Sequence, residues 1–480
     1  MNQTQRYGLS ALDPQGTVPL YQQIYLRLRH AITDGLIAPG ERIPAARALA
    51  KELGLARGTI ESAYGLLASE GYVQARGQAG TVVMPGLEHR PAVNAAASQT
   101  QSLTDASLPA LPRQSAVPPF QMGLSALDAF PRKIWARLGA RCARATRPED
   151  MVYPPYGGTT ALREAIAGYL RVSRGIDCVP QQVFITSGYR ETIHLVLRTL
   201  LDAGDRAWVE DPGYEPTRNV LRNSGIELVP VPVDEDGIQV EEGMQEAFDA
   251  RLAVVTPAHQ SPLSVSLSLA RRLALLDWAE QSNAWIVEDD YDGEYRYMGR
   301  PLPALKSLDA AGRVIYSGTF SKVMFPSIRI AYFVAPVELV GRFNDTAQIL
   351  GGGVPALEQA IVTAFMKEGH FSRHIQRMRR LYGERREQVA GGLMDVLGER
   401  LRIDLQPGGM HLILRSLGDK SMDDLAIAHR IREQGMFAHG LSGWYLKPPV
   451  SHGLLLSFTN VASRAAAQQL GRRILTLLDE

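Results

Sequence analysis

A single lysine, Lys322, follows small and hydroxyl residues in the stretch YSGTFSKVMFPSIR, residues 316–329, and Arg329 comes seven places later. The acids Asp289 and Asp290 and then Tyr291 follow the apolar run AWIVE, and Tyr214 follows the turn EDPG. ITSGYRET sets Gly188 and Tyr189 ahead of the helical run TIHLVLRTL. Taken singly these are ordinary residues, since a loop lysine is usually solvated and DPGY is usually only a turn. Together they cover one kind of chemistry. A lysine near other cationic groups and out of bulk water loses its proton more easily and serves as a nucleophile. A carboxylate facing a cation stays ionised. A tyrosine ring offers a flat partner, and a helix N-terminus with hydroxyls and an arginine cradles an anion.

The elements that must hold these groups are readable. From about residue 120 onward, helical segments alternate with the apolar runs RAWVE, RLAVV, AWIVE, RVIY and IAYFV. Short strands that are apolar throughout predict a parallel sheet covered on both faces. In such a sheet ligands sit at the carboxyl ends of the strands, where these residues fall. The ligand that asks for all of them is pyridoxal 5'-phosphate. Lys322 is then the catalytic Schiff-base lysine and Asp289 the partner of the pyridine nitrogen. Tyr291 reaches the phenolic oxygen and Tyr214 stacks on the ring. Gly188 and Tyr189 meet the phosphate at a helix N-terminus, and Thr319 and Arg329 complete its cradle.

Residues 1–85 read as a separate module. VPLYQQIYLRLRHAITDG, AARALAKELG and RGTIESAYGLLASEG have helical apolar spacing, with Gly35 and Gly54 as stops, and YVQARGQAGTVV alternates as a hairpin. Three helices and a hairpin predict an α+β winged helix-turn-helix, whose third helix enters the major groove of double-stranded DNA. Arg47, Arg57, Thr59, Arg76 and Gln78 are the expected DNA contacts. Residues 86–119, rich in Ala, Ser, Gln and Pro, read as a linker, and residues 120–480 as the cofactor-binding part. A net charge of +1 over 480 residues confines any nucleic-acid contact to a local patch. Cys142 and Cys178 have no metal-site spacing, and no metal is expected. No run has signal-peptide or transmembrane character, so a cytoplasmic protein without membrane contact is expected.

GERIPAARALAKELGLARGTIESAYGLLASEGYVQARGQAGTVV resembles the GntR family of bacterial regulators. Ala45, Ala46, Ala56 and Gly58 depart from its usual Ser, Ser, Ser and Asn, which removes small polar contacts to DNA. From about Phe120 to Glu480, YPPYGGTTALREAIAGYLRVSRGI, VEDPGYEPTR, VEDDYDGEYRY and YSGTFSKVMFPSIRIAYFV resemble fold-type I aminotransferases. That resemblance implies an α/β domain with a large, mostly parallel sheet plus a small α+β subdomain. The combination is similar to the MocR-type regulators. It implies a head-to-tail, domain-swapped homodimer acting on operator DNA, with an amine, an amino acid or a B6 vitamer as effector. Two stretches depart from it. Ser261, Pro262, Leu263 and Ser264 stand where an aromatic and Pro-Thr-Gly are usual after HQ. Leu454, Leu455 and Leu456 stand where many aminotransferases carry an arginine for the substrate carboxylate. Arg190 also replaces a usual glutamine. Two other functions fit these residues: an aminotransferase with an accessory DNA-binding domain, at most slow in a half-reaction, and a DNA-binding protein whose second domain is an inert dimerisation scaffold.

Overall fold

The computed structural model describes residues 7, 9, 12–14, 16, 18–77, 80–85, 117–298, 303–417 and 422–478. Its contacts divide the chain into Met1–Ser115 and Ala116–Glu480. Residues 86–116, most of the expected linker, lie outside the described residues.

The first unit is a winged helix-turn-helix. Helices α1 (Leu20–Thr33), α2 (Ala46–Leu53) and α3 (Arg57–Ser69) precede a hairpin of β1 (Val73–Ala75) and β2 (Thr81–Val83). Ile24, Leu28, Leu49, Ile60, Leu67 and Val83 are fully buried at its centre. The hairpin pairs Val73 with Val83 and Ala75 with Thr81. Gly54 stops α2 in the left-handed conformation that a residue with a Cβ resists. Two of the substituted alanines prove to be structural positions: Ala45 and Ala56 are the N-caps of α2 and α3, and neither offers a side-chain acceptor. Alanine in place of serine at these two positions therefore leaves both helix starts without a side-chain cap.

The second unit holds an eight-stranded sheet. Its strands are β3 (Val183–Thr186), β4 (Arg206–Asp211), β5 (Glu227–Asp234), β6 (Gly237–Ile238), β7 (Leu252–Val255), β8 (Trp285–Asp290), β9 (Val314–Thr319) and β10 (Ala331–Val334). The order is β3-β10-β9-β8-β7-β4-β5-β6. The run from β9 through β8, β7 and β4 to β5 is parallel. β10, expected in a parallel sheet, is antiparallel to both β3 and β9. The connection 320–330 explains the reversal, because a parallel return needs a crossover of about a dozen residues or more, usually a helix. Helix α4 (Thr160–Arg174) precedes β3 in the chain, and α5 (Tyr189–Leu200), α6 (Glu215–Asn223) and α7 (Leu269–Gln281) lie between strands. β3, β7 and β8 are buried along their whole length.

A long helix, α8 (His370–Leu397), leads to a small antiparallel sheet of β11 (Leu401–Asp404), β12 (His411–Ser416), β13 (His439–Gly440) and β14 (Leu454–Ser457), and α9 (Arg464–Leu478) follows. Tyr382, Leu393, Leu412, Leu454, Leu456 and Ile474 share its core. This is the small α+β subdomain, and its sheet is separate from the large one.

Candidate cofactor site and nucleic-acid surface

Strand alternation sends the two acids at the end of β8 to opposite faces. Asp290 takes a buried ion pair from Arg174 of α4 at 2.6 Å and a hydrogen bond from the Tyr316 hydroxyl at 2.6 Å. Glu294 pairs with the same guanidinium at 3.0 Å. Asp289, on the other face, lines a cleft with Tyr189, Glu210, Tyr214, Thr217 and Thr256. Burial, together with the nearby Asp290 and Glu210 carboxylates, pushes the Asp289 pKa well above the usual range, and Lys322 opposes this. A cationic ring nitrogen at Asp289 would relieve that strain.

Lys322 is in the connection after β9. Its Nζ donates to the carbonyl oxygen of Gly123 at 2.9 Å. Burial lowers its pKa while Asp292 and Asp289 raise it, and the net direction is downward. An amine so placed is easier to deprotonate than a surface lysine. The Tyr291 hydroxyl is buried without a well-formed hydrogen bond, although Ser261 lies beside it. A buried phenol left without a partner is what a ligand oxygen would satisfy.

Gly188 caps the N-terminus of α5 with φ 141°. A Cβ there would lie 3.2 Å from the Arg329 guanidinium, so the arginine rests directly against the helix start. Thr319 and Thr186 flank Ala331 on either side, which sets Thr319 about 10 Å, two strand spacings, from the strand leading to Gly188. Tyr189 turns its hydroxyl to Thr217 Oγ1 at 2.7 Å, leaving only its peptide N–H for the cradle. Tyr214 caps α6, and its ring stacks on Trp444 with centroids 6.2 Å apart. Arg190 is exposed and has no ion pair among the described residues.

Several groups at the site were not singled out from the sequence. Glu210 accepts from Thr256 N at 3.0 Å, Thr256 Oγ1 at 2.6 Å and Gln260 Nε2 at 3.2 Å. Burial nevertheless pushes its pKa up to about 7. Its signal was available, as an acid at the end of β4. Gly123 and Trp444 carried none, because their roles arise from contacts between distant segments. The altered loop is well built: Gln260 Nε2 donates to Pro212 O at 2.8 Å, and Ser264, at φ 58°, lies 3.3 Å from His411 Nε2. Leu454, Leu455 and Leu456 are fully buried, and Leu455 packs in a cluster with Leu263 and Trp444.

In the first unit Arg47, Arg57 and Arg76 are exposed, and Thr59 is half-buried in the first turn of α3. Arg57 Nε pairs with Glu61 at 2.8 Å. Gln78 lies outside the described residues.

Residues 20–83 match the family described as bacterial regulatory proteins, gntR family, and residues 124–443 match aminotransferase class I and II. The chain is 37% identical over 457 residues to the probable rhizopine catabolism regulatory protein MocR of Rhizobium meliloti, covering 94% of this chain and 92% of that protein. It is 34% identical to the pyridoxine biosynthesis regulator PdxR of Corynebacterium glutamicum, over 93% of this chain and 94% of that one. The chain belongs to the MocR-type regulators. Among solved structures, α-aminoadipate aminotransferase LysN of Thermus thermophilus, complexed with N-(5'-phosphopyridoxyl)-L-leucine, matches with a TM-score of 0.67 and 27% identity. That match covers 76% of this chain and 93% of LysN. This MocR-type regulator therefore binds DNA through a GntR-type domain, and its cofactor is pyridoxal 5'-phosphate. The orphaned Tyr291 hydroxyl and the Gly188–Arg329 contact fit that cofactor at its two ends. No helix among the described residues is long and apolar enough to cross a membrane.

Proposed function

We propose that this MocR-type regulator senses an amine, an amino acid or a B6 vitamer at Lys322 and transmits the event to its DNA-binding domain. When bound, the cofactor supplies an aldehyde that condenses with amines and a pyridinium ring that withdraws electrons. The chain's residues do the rest. Lys322 Nζ is the attachment nitrogen. Asp289 holds the ring-nitrogen proton, Tyr291 bonds the phenolic oxygen, and Tyr214 covers the ring. The peptide N–H groups after Gly188, including that of Tyr189, hold the phosphate with Thr319 and Arg329. The observation that carries this reading is the convergence on one region of Asp289, with its raised pKa, and Lys322, with its lowered one. Charge on either group favours the ionised form of the other.

DNA contacts come from Arg47, Arg57, Thr59, Arg76 and Gln78 in a domain spanning 1–85. A linker, 86–119, leads to the cofactor part, 120–480. The working form is a cytoplasmic, head-to-tail, domain-swapped homodimer that holds two winged helices on one operator. An effector alters DNA binding only by preferring one conformation of that dimer. The test titrates the cofactor-loaded protein with amines while following visible absorbance and the anisotropy of a labelled DNA fragment from the gene's own promoter. Both signals should move with one midpoint. The intact Lys322 and Asp289 favour aminotransferase activity as a second reading. Repeated turnover with a keto acid and no change in DNA binding would establish it instead.

A further inference from the structure

Among the described residues, the hydrogen-bond acceptor of Lys322 Nζ is the Gly123 carbonyl, at 2.9 Å. Gly123 sits at φ 79°, and a Cβ there would lie 2.8 Å from Nζ. Backbone conformation and close approach of the lysine thus both call for glycine. Gly123 belongs to a strap, residues 117–126, tied down on two sides. Toward the small subdomain, Asn460 Oδ1 accepts from Phe120 N at 3.1 Å, and Asn460 Nδ2 donates to Pro118 O at 2.7 Å. Ser457 N donates to Phe120 O at 3.0 Å, and Thr459 Oγ1 donates to Leu124 O at 2.8 Å. Toward the lysine's own loop, Ser125 Oγ donates to Met324 O at 2.7 Å. The strap is also the chain's covalent path: before Val117 it runs back through residues 86–116 to the winged-helix unit.

We propose that Gly123 is the resting partner of the Lys322 nitrogen, and that the strap 117–126 registers whether that nitrogen is free. This rests on Lys322 being the attachment lysine. When its neutral amine condenses with an aldehyde carbon, one C=N bond forms and water leaves, carrying both amine hydrogens and the aldehyde oxygen. The nitrogen then has no amine hydrogen left for Gly123. An effector amine that takes over the bond passes two hydrogens to the lysine nitrogen, which can again donate to Gly123. Of the ties on the strap described above, this is the one that cofactor chemistry makes and breaks. The others join backbone groups to side chains or backbone outside that chemistry. The state of one nitrogen is therefore presented to the segment through which the chain reaches the DNA-binding unit.

The test is hydrogen exchange of peptides covering 117–126 in the full-length protein. Lys322→Arg keeps a donor but cannot attach the cofactor, whereas Lys322→Met keeps neither. Both are measured without cofactor, so the comparison does not depend on loading. Strap amides in Lys322→Met should exchange roughly two- to tenfold faster than in Lys322→Arg, the effect of one net hydrogen bond. Cofactor-free wild type should follow Lys322→Arg. Asn460→Ala, which leaves the lysine untouched, should also speed exchange in the strap. Equal strap exchange in the two lysine variants, with Asn460→Ala faster, overturns the role of Gly123. A cofactor-loaded Lys322→Met that keeps the wild-type visible band overturns instead the attachment reading on which the proposal rests.

Discussion

Replacing Glu210 by glutamine should stabilise the cofactor-free protein at alkaline pH and change it little at acid pH. The Glu210 carboxyl accepts three hydrogen bonds, which favour its charged form, yet burial outweighs them and pushes its pKa from 4.5 up to about 7. Between those values the folded chain binds more protons than the unfolded chain, so stability falls as pH rises. Below the unfolded value the folded protein is not penalised. Above pH 7 the whole penalty is present. At ~1.36 kcal/mol per pH unit, a displacement from 4.5 to about 7 corresponds to about 3 kcal/mol. Glutamine carries no charge and keeps an oxygen for the Thr256 N–H, so its stability lacks this slope. Glu288 is likewise pushed up to about 7, but it is present in both proteins and cancels in the difference. The assay is urea denaturation at pH 5 and pH 8 followed by tryptophan fluorescence. Trp135, Trp208, Trp278, Trp285 and Trp444 all lie in the second unit, so the signal reports that unit. The stability gap in favour of the variant should widen by about 2–3 kcal/mol from pH 5 to pH 8. A gap of equal size at both pH values, or one that widens against the variant, would show that the Glu210 carboxyl is not raised by burial in the folded protein.

Other perturbations test separate parts of the account. Ala56→Ser gives the N-cap of α3 its missing acceptor and should stabilise that helix by about 0.5–2 kcal/mol, read as slower hydrogen exchange of the α3 amides. Arg57→Ala should weaken DNA binding by about 1–3 kcal/mol and relax preference at one base position, whereas a uniform loss across sequences would make it a phosphate contact. Arg174→Met leaves Asp290 and Glu294 buried without their cation and should cost about 3–5 kcal/mol of stability. A shift in the urea midpoint worth under about 1 kcal/mol would show that the two acids discharge by taking up protons instead.

Much of this arrangement is written locally. The winged helix follows from helical spacing and the stops at Gly35 and Gly54. Four of the five apolar runs, RAWVE, RLAVV, AWIVE and RVIY, lie in the parallel part of the large sheet, and the polar residues after them fall at its carboxyl edge because parallel strands end on the same side. Other features are not local. β3 has four residues next to a strong helical run, and β5 carries Pro230 and Pro232, which weaken its strand pattern. β5 tolerates them because one neighbour is the two-residue β6, so much of that side lacks a ladder. The antiparallel sense of β10 depends on the length of the connection before it, not on its own residues. Gly123 meets Lys322 across 199 positions, and Trp444 meets Tyr214 only because the small subdomain folds back over the stacking tyrosine. Ala45 and Ala56 were legible as departures at the DNA-binding surface, but their position as uncapped helix starts required the backbone.

The most direct measurement is the amine-induced change in DNA affinity of the cofactor-loaded protein, compared between wild type and Lys322→Ala. Wild type should change its affinity as the visible band shifts. Lys322→Ala should bind DNA with an affinity that no amine alters. An unchanged response in Lys322→Ala would contradict the claim that this lysine connects the cofactor to the operator.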